Sequence, residues 1–156
     1  MSNKKQRPDA DFVKFLEQEG FTVIKVSPVS KPRMTQRDKW SNRPPILKYR
    51  LYKSELIAET VVMKIELPVP YLLVFVIPMP PSWSKKKKNE HQYQPHFAKP
   101  DKDNLEKGYL DALLKEDAHI HDGRVVKMWG NTGFIAIKEI DALWENGNFL
   151  GFSGQT

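Results

Sequence analysis

Residues 71–77, Tyr-Leu-Leu-Val-Phe-Val-Ile, form an unbroken apolar run. The run is far too short to cross a membrane. A strand that is apolar on both faces belongs in the middle of a sheet, with cover on each side. Further on, Leu105, Tyr109, Ala112 and Leu113 recur at i, i+4, i+7 and i+8, which predicts a helix over residues 104–115 with one apolar face. Residues 124–128 read as another strand. Strand, helix and strand in this order predict a βαβ unit with a right-handed crossover. The fold class is therefore α/β: a single mixed-sheet domain of roughly four or five strands with a helix packed on it.

The remaining chain fits around that unit. Pro8 and Asp9 open a short helix with Phe12, Val13, Phe15 and Leu16 on its apolar side and Gly20 as its stop. The expected division is an N-terminal tail and short helix over 1–20, then the main domain over 21–156. Residues 1–7 are polar and basic and are expected to be disordered. Residues 21–26 read as a strand. Residues 47–59 predict a helix with Leu47, Leu51 and Ile57 facing inward. Residues 61–67 alternate, with Val61, Met63, Ile65 and Leu67 on one face, and predict a half-buried strand. Residues 78–100 form a long connection, expected to be mobile in the free protein and ordered on its binding partner. Gly130-Asn131-Thr132-Gly133 reads as a hairpin turn, with residues 134–140 returning antiparallel. The tail places Trp144, Phe149 and Phe152 among glycines, to dock on the body or on a partner subunit.

Charge narrows the partners. The formal net charge is +6, and it is unevenly spread. Residues 25–53 carry Lys25, Lys31, Arg33, Arg37, Lys39, Arg43, Lys48, Arg50 and Lys53 against Asp38 alone. Lys85, Lys86, Lys87 and Lys88 stand consecutively. Lys31, Arg33, Arg37 and Lys39, with Trp40 beside them, suit contact with a nucleic-acid backbone and stacking on a base. A basic, well-solvated surface has the same composition, so charge alone does not choose. The absence of cysteine excludes disulfides and thiolate metal sites. The basic start has no apolar core behind it and is not read as a signal peptide. A cytoplasmic location without membrane contact is expected.

The acids gather elsewhere. Pro100 favours an extended approach to Asp101 and Asp103. Two such carboxylates leave one face of an extended segment roughly 6–7 Å apart. Like charges that close share a proton or bind a cation, and Mg²⁺ suits one or two carboxylates with water and phosphate completing its shell. Asp122, in the turn before the strand at 124, brings a third carboxylate. The same residues carry a plainer reading. Asp103 and Glu106 match a capping box, Lys107 has Asp111 at i+4 for an ion pair, and His119 and His121 suit an exposed turn as well as a metal. The residues alone leave both readings open.

The run Lys-Pro-Asp-Lys-Asp-Asn-Leu-Glu-Lys, then Asp-Ala-Leu, then His-Asp-Gly-Arg-Val-Val, resembles the signature of the RusA-type Holliday-junction resolvases. That family shows Asp-x-Asp-Asn-Leu-x-Lys, Asp-Ala-Leu and commonly Asp-Asp-x-x-Val. The basic Lys-Pro-Arg-Met-Thr segment at 31–35 is similar to one near the start of phage members. The resemblance implies a RusA-like nuclease domain. It implies Asp101, Asp103 and Asp122 as metal-binding carboxylates, with Lys107 catalytic or phosphate-facing. The cofactor would be Mg²⁺, with Mn²⁺ able to substitute. The family often has two acids before the last strand. Here His121 takes the first of those positions, either as an auxiliary ligand or leaving Asp122 alone.

The expected function is a Mg²⁺-dependent endodeoxyribonuclease that resolves four-way junctions by paired symmetric nicks in recombination and repair. Lys31, Arg33, Arg37, Lys39 and Lys85, Lys86, Lys87 and Lys88 would hold the DNA. Paired cuts in a near-twofold junction need two active sites, which argues for a homodimer, as the resemblance also implies. A bacterial cell, with phage or prophage origin, is the expected setting. Two alternatives stand beside this: a branched-DNA-binding protein without catalysis, and a metal nuclease for other branched DNA. A restriction-type Pro-Asp…Asp/Glu-x-Lys site is excluded because residues 124–126, Arg-Val-Val, lack the acid-x-lysine pair.

Overall fold

The computed structural model describes residues 8–33, 35–39, 42–152 and 154. The expectations placed on residues 1–7 and on Trp40 lie outside the described residues. The first helix, α1, spans Pro8–Gln18 and leads to strand β1 at Thr22–Ile24. A short 3₁₀ turn at Gln36–Lys39 precedes helix α2 at Pro44–Met63. Strand β2 covers Tyr71–Pro78, helix α3 Lys85–His91 and helix α4 Lys102–Leu113. Strands β3 at Gly123–Gly130 and β4 at Phe134–Glu139 complete the main sheet, followed by a small hairpin of β5 (Trp144–Glu145) and β6 (Asn148–Phe149).

The sheet order is β1-β4-β2-β3. The apolar run is central, as its composition requires. β2 pairs in parallel with β3, from Tyr71 opposite Gly123 to Pro78 opposite Gly130, and antiparallel with β4 on its other edge. A parallel neighbour needs a crossover, and α3 and α4 supply it. Alternation along β2 serves two cores. Tyr71, Leu73 and Phe75 join Tyr49, Tyr52 and Leu56 of α2 and Leu105, Tyr109 and Ala112 of α4. Val74 and Val76 join Leu16, Phe12 and Val13 of α1 on the opposite face. The domain is thus a mixed α/β sheet covered on both faces.

Four local expectations need correction. Residues 130–133 do not join a hairpin of neighbouring strands, because β2 lies between β3 and β4. The connection passes over the end of β2, and a Cβ at Gly130 would overlap the Val76 side chain. Residues 61–67 do not form a strand. Helix α2 continues to Met63 and ends on Lys64 in the left-handed conformation, φ 53°. Adding a turn to an existing helix needs no new nucleus, so residues 61–63 prolong α2 instead.

The inward face of α2 also differs from expectation. Ile46, Tyr49, Tyr52 and Leu56 are buried, whereas Leu47, Leu51 and Ile57 are 48%, 61% and 41% exposed. Apolar residues lie all round this helix, so their spacing selects no face. The Tyr49 hydroxyl does, donating to the Gly108 carbonyl at 2.8 Å. Finally, the lysine run is helical, not an irregular loop. Ser84 caps α3 by accepting the Lys87 N–H at 3.1 Å, and the Lys87 ammonium sits 4.3 Å above the Trp83 ring.

Candidate active site

Helix α4 begins differently from the sequence expectation. Asp101 is the N-cap residue, with extended backbone and no side-chain capping bond. Asp103 lies within the first turn, where its Oδ1 accepts the neighbouring Asn104 N–H at 3.0 Å. The capping box is therefore not formed. Glu106 instead accepts the Tyr71 hydroxyl. Because Asp103 is helical, the shared strand face proposed for Asp101 and Asp103 does not apply.

The approach to Asp101 is also specific. After α3 the chain turns back along the free edge of β3. Tyr93 N–H donates to Trp129 O at 2.8 Å, Trp129 N–H to Gln94 O at 3.0 Å, and His96 N–H to Lys127 O at 3.2 Å. Lys127 Nζ then donates to Ala98 O at 2.5 Å and to Pro100 O at 2.7 Å. This return carries Asp101 away from the carboxyl ends of the parallel strands, where ligands of βαβ units commonly bind, toward their amino ends. Asp122 lies there too, one residue before Gly123 and the start of β3.

Tyr71 joins the two parts. It is fully buried. Its ring fills the place a Cβ on Gly123 would need, and its hydroxyl reaches Glu106, three residues beyond Asp103. Burial, followed by the Glu106 bond, raises the Tyr71 pKa, so the hydroxyl stays a donor. Asp101 and Asp103 are exposed and Asp122 half-buried. Among the described residues, no three His, Cys, Asp or Glu side chains form a group able to hold a metal ion.

Lys107 is 55% exposed and lies 3.3 Å from Asp117 Oδ2 and 3.4 Å from Asp111 Oδ1. The bond to Asp117, then the Asp111 charge, hold its pKa above the ordinary lysine value. Asp111 also accepts Lys31 Nζ at 2.5 Å. Burial would raise the Asp111 carboxyl, but the Lys31 and Lys107 charges outweigh it and its pKa falls. Lys31, Lys53, Asp111 and Lys115 line an open cleft of about 510 Å³ at the far end of α4.

One basic segment reaches the same helix. Lys31 N–H bonds to Asn104 O at 3.2 Å. Gly108 lets this segment close in, since a Cβ there would meet Lys31 N and Val29 O at 3.0 Å. Arg33 and Arg37 are exposed, and Lys39 ends the 3₁₀ turn. On α3, Lys85, Lys86 and Lys87 are exposed and Lys88 half-buried. His121 makes an edge contact with Trp144 of the tail hairpin, with ring centroids 5.4 Å apart.

Tyr71, Asp117 and Lys127 were missed in the sequence. Lys127 had a signal, as the single charge among Val125, Val126, Met128 and Trp129. Asp117 had none, because its distance from Lys107 in the chain is not a helical spacing. Tyr71 was hidden by its place in an apolar strand.

Carboxylates at the start of α4 and before β3, on a basic mixed α/β domain, suit a DNA-hydrolysing enzyme. The family model described as Endodeoxyribonuclease RusA matches residues 24–138, most of the chain, and the chain belongs to that family. It is a crossover junction endodeoxyribonuclease, a phosphodiester hydrolase that acts on Holliday-junction DNA in recombination. Nucleases of this family are generally dependent on a divalent metal. No curated protein matches the chain significantly. No helix among the described residues is long and apolar enough to cross a membrane.

Proposed function

We propose that the protein resolves four-way junctions as a homodimer by paired, symmetric nicks, using Mg²⁺ held by Asp101, Asp103 and Asp122. The carrying observation is Tyr71, which packs on Gly123 beside Asp122 and bonds Glu106 one turn from Asp103. One buried side chain thus links both segments that bear the candidate ligands. The donor set is all hard oxygen, which suits Mg²⁺ or Mn²⁺. Asp101 has no side-chain capping bond to give up.

When bound, a divalent ion supplies a water of lowered pKa and positive charge at the phosphate. The protein's own contribution is orientation and charge. Asp111 and Asp117 hold Lys107 protonated, ready to bind a phosphate oxygen as negative charge develops. Lys85, Lys86, Lys87 and Lys88 bind one stretch of backbone. Lys31, whose N–H bonds the Asn104 carbonyl, serves another arm together with Arg33, Arg37 and Lys39. His121 acts as an auxiliary ligand once it leaves Trp144. We place the enzyme in the bacterial cytoplasm, encoded by a phage or prophage.

The test is a labelled synthetic four-way junction and a matched linear duplex, each with Mg²⁺ and with EDTA, and Asp101→Asn as control. Paired nicks in the junction alone, dependent on Mg²⁺ and lost in the variant, are expected. Cutting of flaps or linear duplex at equal rates would move the reading to another branched-DNA nuclease. Tight binding without cleavage under any divalent ion would remove the catalytic reading.

A further inference from the structure

Helix α1 precedes the family-matched span, yet it grips the segment that delivers Asp101. Asp9 is 6% exposed. Its Oδ1 accepts the Tyr93 hydroxyl at 2.9 Å. Its Oδ2 accepts the Thr132 N–H at 2.7 Å and the Thr132 hydroxyl at 2.5 Å. Phe12, on the same side of the helix, stacks on the Tyr93 ring at 4.2 Å. A buried carboxylate is costly unless its oxygens are bonded, so these contacts define a specific seat for α1.

Tyr93 is the point where the chain leaves α3 and reverses. Its φ is +62°, uncommon for a bulky side chain. From there the backbone bonds to Trp129 and Lys127 run along β3, and the Lys127 ammonium fastens Ala98 and Pro100. Asp101 follows directly. Thr132 ties the same carboxylate to the connection leaving β3. Contacts therefore run without a gap from Asp9 to Asp101, with the lysine helix attached at the Tyr93 end.

We propose that α1 is a latch and Asp9 a positioning residue. Asp9 holds the reversal at Tyr93 and, through it, the seating of residues 93–100 on β3. That seating sets the α3 lysines and Asp101 at a fixed spacing along bound DNA. The proposal rests on the reading that those lysines and Asp101 face the junction.

Two variants test it. Asp9→Asn keeps the shape and removes the charge. Tyr93→Phe keeps the stack on Phe12 and removes one bond. Amide hydrogen exchange is measured on the free full-length protein, and junction cleavage gives KM and kcat. Exchange at the Tyr93, His96 and Trp129 amides should rise about tenfold in Asp9→Asn, and less in Tyr93→Phe, as expected for losing a bond to a charged acceptor. Exchange in α2 should not change. KM for the junction should rise about five- to tenfold while kcat stays within about twofold.

A lower melting temperature with unchanged exchange at those three amides would reduce α1 to a cover for the second sheet face and end the proposal. Faster exchange with an unchanged KM would also overturn it, because the latch would then set nothing at the DNA. If the parent protein cleaves no junction at all, the junction reading fails separately. The exchange result, obtained without DNA, still decides whether Asp9 holds the segment.

Discussion

Tyr71 and His96 show how much rests on single side chains. Tyr71→Phe keeps the ring over Gly123 and removes the hydroxyl bond to Glu106. Stability should fall by about 1 kcal/mol, a melting shift of about 2–4 °C for a domain of this size. Junction cleavage should fall more, about tenfold, because α4 loses its bond to the Tyr71 side chain that packs on Gly123 beside Asp122. Equal activity in the two proteins would show that the tie does not matter to the site. His96 packs against Trp129 with the rings tilted and their centroids 4.1 Å apart, and it is 3% exposed. Burial, then the Lys127 charge, push its pKa below the usual 6.5. The unfolded chain therefore binds a proton that the folded chain refuses. This contribution is complete above 6.5 and is lost as pH falls below it. The urea midpoint should drop between pH 7 and pH 5, and His96→Phe should flatten that drop. The lowered Asp111 pKa acts only in a more acidic window.

At the scale of elements, capping and helix extension decide what the local pattern leaves open. The lysine helix is short and carries four cations in its first residues, an arrangement the helix dipole opposes. It forms because Ser84 caps it and Trp83 anchors it, through Lys87 on one side and Trp129 at 4.8 Å on the other. Ser84→Ala should cost about 1 kcal/mol locally. Exchange at the Lys87 and Lys88 amides should then rise about fivefold while the global melting temperature holds. If α3 stays equally protected, Trp83 rather than the cap maintains it. Residues 61–63 likewise add a turn to α2, which needs no new nucleus, and the helix ends on Lys64.

For the whole molecule, two basic segments stand apart, α3 packed through Trp83 on Trp129 of β3 and the Lys31 segment bonded to Asn104 of α4. Junction binding in EDTA should weaken steeply with salt. Replacing Lys85, Lys86, Lys87 and Lys88 with alanine should lower the log–log salt slope by about one for each lysine on a phosphate. An unchanged slope would place the DNA away from α3. Homodimer action predicts that both nicks arise within one bound complex. A mixed dimer of parent and Asp101→Asn subunits should therefore leave junctions with a single nick.

By itself, the sequence determined the α/β class, the central strand at 71–77, the helix through Leu105 and Tyr109, the β3 strand and the family. Each of these is written in local periodicity or in a contiguous motif. The acids of the site and its basic flanks were legible as residue types for the same reason. Only the tertiary structure decided which strands are neighbours, which face of α2 is buried and which end of the sheet Asp101 approaches. Those outcomes depend on contacts between residues far apart in the chain. Tyr71 with Glu106, Lys127 with Pro100 and Asp9 with Tyr93 each join positions whose spacing carries no periodic signal, and they exist because a two-faced sheet brings its covering elements together.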